Sequence, residues 1–342
     1  LYGMLPLAII ITMSCCCIEL VGETDRGRIW SAASIAFGTL LTTFAVALTN
    51  HSFAAACAAT SLYCVLLITK NNARTWKLFA AAGITAGLTA AFDLPALAWT
   101  AVVLGILAAF DRQQATRATL PAVLTVLLAA IGTNLVAHGT AWPPYAYRDT
   151  PNQSEVSPSH GHTSDSVNQW NPNNWYDYRF NMPNGRVIES YWRSPSGIDR
   201  GEPSVTRYAF HALIGHHGIF SLTPLWLLVV PGLFIMLRRW GEGWQMLSVA
   251  IFTVSIIVVV FYLTRHPWDR NYGGSTSGFR WVFWMAPLWI TALTPAADRL
   301  SASKAGCCFL LILLGLSVLS VAAPTWNPWT HPWLYQLLEH MT

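Results

Sequence analysis

Apolar runs of membrane-crossing length recur along this chain, separated by short polar breaks and by one long polar segment. They fall at about 2–20, 30–49, 52–69, 75–91, 94–110, 119–137, 218–237, 244–263, 281–297 and 306–322. A helix needs roughly 20 apolar residues to cross about 30 Å of hydrocarbon. The pattern therefore predicts an all-α polytopic membrane protein with about ten transmembrane helices and one large extracytoplasmic loop. The stretch 75–110 could be a single helix, but at about 1.5 Å per residue it would be roughly 50 Å long. Asp93 and Pro95 in "AAFDLPALAW" divide it instead, because a charge at mid-bilayer is costly and proline breaks the hydrogen-bond ladder.

That break also makes the basic residues alternate. Arg26, Arg28, Lys70, Arg74, Lys77, Arg112, Arg117, Arg238, Arg239, Arg299 and Lys304 all fall in connections on one side, including every lysine of the chain. The opposite short connections, near 51 and near 93, carry no Lys or Arg. Lysine and arginine accumulate on the cytoplasmic side of short loops, so Asp93 and His51 are expected on the outer side. The domain organisation follows: helices one to six over 1–137, an extracytoplasmic loop over 138–217, helices seven to ten over 218–322, and an extracytoplasmic tail over 323–342.

Composition agrees with this reading. Hydrophobic residues make up 54% of the chain and charged residues only 11%, with a mean hydropathy of +0.41, far from the balance of a soluble domain. The net charge of +4 follows topology and implies no nucleic-acid partner. All seven cysteines lie inside predicted spans, so none can staple the exported loops. The chain opens at Leu1 and is read as the C-terminal part of a longer protein.

The long loop has two textures. "DTPNQSEVSPSHGHTSDSVNQWNPNN" is poor in aliphatic residues and is expected to be mobile. From "WYDYRF" onward, aromatics interleave with arginine and carboxylate, a mixture suited to binding a polar ligand. A second outward stretch, "RHPWDRNYGGSTSGFRW" at 265–281, has the same character. Both stretches are equally open to a plainer reading, in which Trp and Tyr form the interfacial belt and Arg meets lipid phosphate. The transition "YAFHALIGHHGIFSLTPLW" at 208–226 gathers His211, His216 and His217.

Taken in order, "TLLTTFAVALTNHSFAAACAATSLYCVLL", the turn "AAFDLPALAW", "GHHGIFSLTPLWLLVVPGL" and "NYGGSTSGFRWVFWMAPLW" resemble bacterial membrane proteins related to the GT-C glycosyltransferases. Those enzymes move a sugar from a polyprenyl-phosphate carrier to an acceptor on the outer face of the membrane. The resemblance implies a bacterial inner-membrane location, membrane lipid and a polyprenyl-phosphate sugar donor as partners, and a glycan or protein acceptor. Its motif positions here are His51, Asp93, His216, His217 and Arg280. The family's acidic first external loop has no counterpart in this sequence and is expected to precede residue 1.

Such a transfer needs a base for the acceptor hydroxyl and positive charge for the departing phosphate. Asp93 is the candidate catalytic acid/base or metal ligand, with a helix N-cap ahead of Pro95 as the alternative. Asp199, Arg200 and Glu202 in "GIDRGEPS" could contact a sugar or could hold a solvated turn. Arg280 is the first candidate for the phosphate, with Arg270, Arg265 and Arg207 behind it. His216 and His217 could bind phosphate, a metal, or simply pack. The sequence identifies no cofactor, and a divalent cation is left open. Other readings are a polymerase or ligase of lipid-linked glycans, a transporter, and a non-enzymatic membrane protein; few ionisable residues lie inside the predicted spans, which counts against coupled transport.

Overall fold

The computed structural model describes residues 2–143, 146, 176, 178–239, 241 and 243–341. The fold is almost entirely helical. Fifteen α-helices are described: α1 (Met4–Val21), α2 (Asp25–Phe37), α3 (Leu40–Thr43), α4 (Asn50–Asn71), α5 (Trp76–Phe92), α6 (Leu97–Phe110), α7 (Arg112–Gln114), α8 (Leu120–His138), α9 (Val205–Leu213), α10 (Ile219–Leu222), α11 (Val229–Arg238), α12 (Trp244–Leu263), α13 (Ala286–Leu300), α14 (Lys304–Ala322) and α15 (Trp333–Met341). Among the described residues, six helical segments are long and apolar enough to cross a membrane: Met4–Val21, Asp25–Val46, Asn50–Asn71, Arg112–His138, Trp244–Leu263 and Lys304–Ala322. Trp76–Phe92, Leu94–Phe110 and Pro224–Arg238 are shorter apolar helices.

The chain divides into two compact units, Leu1–Leu127 with Gly201–Thr342, and Leu128–Arg200. In the first, α13 is the central element. Every side chain from Ala286 to Asp298 is buried, packed by α1, α2, α4 and α11. Backbones come close where side chains are small, as expected of helices in lipid. A Cβ on Gly232 of α11 would stand 2.0 Å from the Ala292 carbonyl oxygen of α13, so only glycine allows that crossing. Buried indoles add directional ties. Trp30 donates to the Leu310 carbonyl, Trp99 to Ser61 Oγ and Trp289 to Ser255 Oγ, at 2.8, 2.8 and 2.9 Å. A buried Trp N–H needs an acceptor, and these bonds fix α2 on α14, α6 on α4 and α13 on α12.

The two ends of this unit differ in chemistry. Lys70, at the C-terminal end of α4, donates to the Leu20 carbonyl. Arg239 pairs with Glu23 at 2.7 Å, and both cations lie over the Trp244 ring, 4.9 and 5.4 Å from its centroid. Asp298 joins them: its carboxylate accepts from the Glu23 and Thr24 amides at 2.8 and 3.0 Å and from Thr24 Oγ1 at 2.8 Å. At Gly27 a Cβ would lie 2.2 Å from Asp298 Oδ1, which is why the start of α2 can close on that carboxylate. His51 lies at the other end of α4, about 30 Å away at 1.5 Å per residue.

The break expected at Asp93 is present: α5 ends at Phe92, a 3-10 turn spans Leu94–Ala96, and α6 follows. The polar segment holds local structure of its own. The second unit carries a two-stranded antiparallel ladder, β1 (Arg179–Asn181) with β2 (Val187–Glu189), the only strands among the described residues. This unit runs from Leu128 to Arg200. Residues 201–217 belong with the first unit and include α9, whose start is capped by Ser204 Oγ accepting from the Arg207 amide. The tail likewise contains a helix, α15. The motif "HGH" at 160–162 lies outside the described residues.

Candidate functional site

Asp93 occupies the position before the 3-10 turn, but its side chain makes no capping bond there. The carboxylate instead bridges two helices. Oδ2 lies 2.6 Å from Nδ1 of His51, at the start of α4, and Oδ1 accepts a 3.1 Å bond from the hydroxyl of Tyr262, near the end of α12. Both members of the pair are buried, Asp93 at 4% and His51 at 6% exposure. Asn50, beside His51, donates to the Phe92 carbonyl at 2.8 Å, which holds the start of α4 to the end of α5. Among the described residues His51 Nε2 makes no hydrogen bond, so an imidazole oriented through Nδ1 keeps its second nitrogen for another partner.

Tyr262 connects this pair to the 265–281 stretch. Its ring stacks on Trp281 at 4.6 Å and meets Phe279 edge-on at 6.2 Å. Arg280 lies between those two aromatics in sequence. Its amide donates to the Tyr272 carbonyl at 3.1 Å, its Nη2 to the Gly273 carbonyl at 2.5 Å, and its guanidinium lies 4.6 Å from the Trp329 ring centroid. The turn that makes this possible uses Gly273 and Gly274 at φ +99° and +89°, backbone angles that side chains rarely adopt.

Tyr272 carries the network on to the histidines. His217, fully buried, stacks on Tyr272 at 4.4 Å. His216 stacks on His211 at 3.9 Å, and its Nδ1 contacts Nδ1 of His217. From the tail, Tyr335 meets His216 and His217 edge-on at 5.1 and 5.9 Å, and His331 lies 4.4 Å from Tyr335. Burial lowers the pKa of His216 to about 4, helped by the positive charge that His211, His331 and Arg207 would contribute. Burial holds His217 well below the usual histidine value, with His216 and His331 adding to it, and lowers His211, with Arg207 adding. Burial also pushes the Tyr208 and Tyr272 hydroxyls up. Near neutral pH these rings are uncharged and stacked. Among the described residues no three His, Cys, Asp or Glu side chains form a metal-ligand group.

The remaining arginines and carboxylates serve the loop itself. Arg270 is buried and spends its guanidinium on carbonyls: Nε on Arg265 at 2.8 Å, and Nη1 on Pro203 and Glu202 at 2.8 and 3.3 Å. Glu202 pairs with Arg207 at 3.2 Å and accepts from the Ser204 amide, while Arg265 pairs with Asp269. Within the second unit, Asp199 accepts from the Tyr191 hydroxyl at 3.0 Å and Arg200 Nε donates to the Pro195 carbonyl at 3.4 Å. A small apolar crevice lined by Leu40, Ile219, Trp226, Phe279, Val282 and Phe283 has internal room of about 20 Å³, on the order of one water molecule.

Of the residues singled out from sequence, His51, Asp93, His216, His217 and Arg280 thus join one contact network at one end of the first unit. Asp199 and Arg200 belong to the other unit. Sequence reasoning missed Tyr262, Tyr272, His331 and Tyr335, which make the connections. Tyr262 ends an apolar span, where aromatics commonly form the interfacial belt, and His331 and Tyr335 lie in the tail, to which the sequence assigns no site residue.

The fold and the burial pattern define a helical membrane-embedded protein with a histidine- and tyrosine-rich network at the end of the first unit opposite Asp298. Comparison with protein-family models, with curated proteins and with solved structures returns no match.

Proposed function

We propose that this chain is the membrane-embedded part of a GT-C-type glycosyltransferase that moves a sugar from a polyprenyl-phosphate carrier to an extracytoplasmic acceptor. The observation that carries this reading is the buried His51–Asp93–Tyr262 chain with an imidazole nitrogen left over. In this mechanism His51 Nε2 takes the proton of the acceptor hydroxyl as the oxygen attacks the anomeric carbon. The bond from that carbon to the phosphate oxygen breaks, and the polyprenyl phosphate leaves with its electron pair. Asp93 orients the imidazole through Nδ1 and stabilises the imidazolium that forms, as the carboxylate does in other acid–His pairs. Tyr262 holds the second carboxylate oxygen. Arg280 supplies fixed positive charge for the departing phosphate, and the neutral His216 and His217 offer N–H donors. Arg270 acts indirectly, by folding the loop from which Arg280 projects.

The topology that goes with this reading has ten crossings, in a bacterial plasma membrane, with the Lys70–Arg239–Asp298 end in the cytoplasm and the Asp93 end and large loop outside. The sidedness of the basic residues supports it. The test is transfer from a radiolabelled polyprenyl-phosphate hexose by the protein reconstituted in liposomes. Transfer that disappears in His51→Asn, with the fold retained, is the expected result. A folded wild-type protein that turns over no polyprenyl-phosphate sugar, or a His51→Asn variant with undiminished rate, overturns the proposal.

A further inference from the structure

The C-terminal segment carries a second kind of site. α15 begins at the level where α14 ends, because Trp333 Nε1 donates to Ser320 Oγ at 2.9 Å, and Ser320 is in the last turn of that membrane-length helix. The chain between them folds back through turns closed by Thr325 onto Ala322 and Asn327 onto Pro324, at 3.3 and 3.1 Å, and is held to the preceding loop by the Ser277 amide donating to the Pro328 carbonyl at 3.2 Å. Spacing on α15 puts Trp333, Leu334, Leu337 and Leu338 on one stripe, with Glu339 and Gln336 on the other side and His340 at the stripe's margin beside Trp333. Tyr335, at the edge between them, reaches the imidazole cluster. The apolar stripe faces outward: Trp333, Leu337 and Leu338 are exposed, and Trp326, between the two helices, is 97% exposed.

We infer that residues 324–341 form a membrane-surface binding element, in which Trp326, Trp333 and Leu337 enter the boundary between headgroups and acyl chains of the leaflet where α14 ends. The occupant is lipid because the stripe is continuous with the end of a helix whose own flanks, Leu316 and Leu319, are exposed and apolar. Tryptophan at that level finds both the apolar layer and a polar partner for its N–H. An amphipathic helix of this kind lies in the interfacial plane, about 5–10 Å deep. The segment closes over His216 and His217 through His331 and Tyr335, so its lipid contact also determines how that cluster is covered. None of this depends on whether the protein transfers sugars.

The test places a nitroxide at Leu337→Cys, and separately at Gln336→Cys, in a chain whose seven native cysteines are replaced by alanine, reconstituted in nanodiscs of phosphatidylethanolamine and phosphatidylglycerol. The expected result is that the label at 337 relaxes faster with oxygen than with a water-soluble nickel complex, at a depth of about 5–10 Å, while the label at 336 shows the reverse. Equal, water-like accessibility at both positions overturns the inference, and so does occlusion of 337 from both reagents, which would mean a protein contact. If the cysteine-free chain does not fold, the native-cysteine protein decides the matter by tryptophan fluorescence. Lipids brominated high in the acyl chain should then quench wild type more than Trp326→Phe, and equal quenching would reject the inference.

Discussion

Two buried carboxylates mark the opposite ends of the same helical unit, and they are used in opposite ways. Asp298 accepts from two main-chain amides and a threonine hydroxyl, groups that keep their protons under all ordinary conditions. Asp93 meets a histidine ring and a tyrosine hydroxyl, the first a type of group that serves as a general acid or base. The first arrangement saturates a carboxylate and locks the entry of α2 against α13. The second leaves a nitrogen available beyond the carboxylate. A buried acid is thus informative through its partners more than through its burial.

The comparison is most sharply broken at His51. His51→Asn keeps an N–H for Asp93 but removes the nitrogen beyond it, so sugar transfer should fall by about 10²–10⁴-fold, the usual contribution of a positioned base, while the melting temperature in detergent changes little. If the melting temperature drops and the specific rate of the folded fraction does not, Asp93 is a structural acid like Asp298.

Asp298→Ala should do the reverse. It strands two partly buried amides and a hydroxyl, toward the low end of about 1–3 kcal/mol for each unsatisfied group, and should lower the melting temperature with the specific rate of the folded protein unchanged. Gly27→Ala, which forces a methyl against the same carboxylate, should weaken the fold in the same direction.

The third effect concerns the imidazole cluster. Its rings are held neutral in the folded chain, with His216 lowered to about 4, whereas an exposed histidine titrates near about 6.5. Their contribution to stability is therefore complete above pH about 6.5 and is lost as the pH falls from there toward about 4, because the unfolded chain takes up protons first. Melting temperatures measured across that range should decline with acid, and His216→Asn should flatten the decline. The smallest effect is expected from Tyr262→Phe: loss of one hydrogen bond to Asp93, about 1 kcal/mol of stability and less than about a tenfold reduction in rate. A larger rate loss than in His51→Asn would mean that Tyr262, not His51, handles the proton.

The helical elements were legible because lipid imposes a length and a polarity on each of them, and because Asp93 and Pro95 announce a break in an otherwise continuous run. The pairing of Asp93 with His51 was legible only as proximity: both fall in connections without Lys or Arg, hence at one end. The bond itself depends on how α4 and α5 lean together, and no residue pattern states that. α15 was hidden for a related reason. Its amphipathic stripe spans barely two turns after a segment rich in Pro and Trp, and its contact with His216 is made by a side chain more than a hundred positions away. Nor does the pattern distinguish α13 from a lipid-facing span, although its burial on all sides is what brings Asp298 to α2.

That enclosure of α13 has a consequence for how the protein is made. The helix has only 15 residues, with Pro295 inside it and Asp298 near its end, a weak candidate for entering a bilayer unaided. Its neighbours α1, α2 and α4 are all complete before Asn72, long before α13 begins at Ala286. They must therefore be waiting in the membrane, with a vacant seam between them, when α13 leaves the ribosome, and its insertion is better described as docking into protein than as partitioning into lipid.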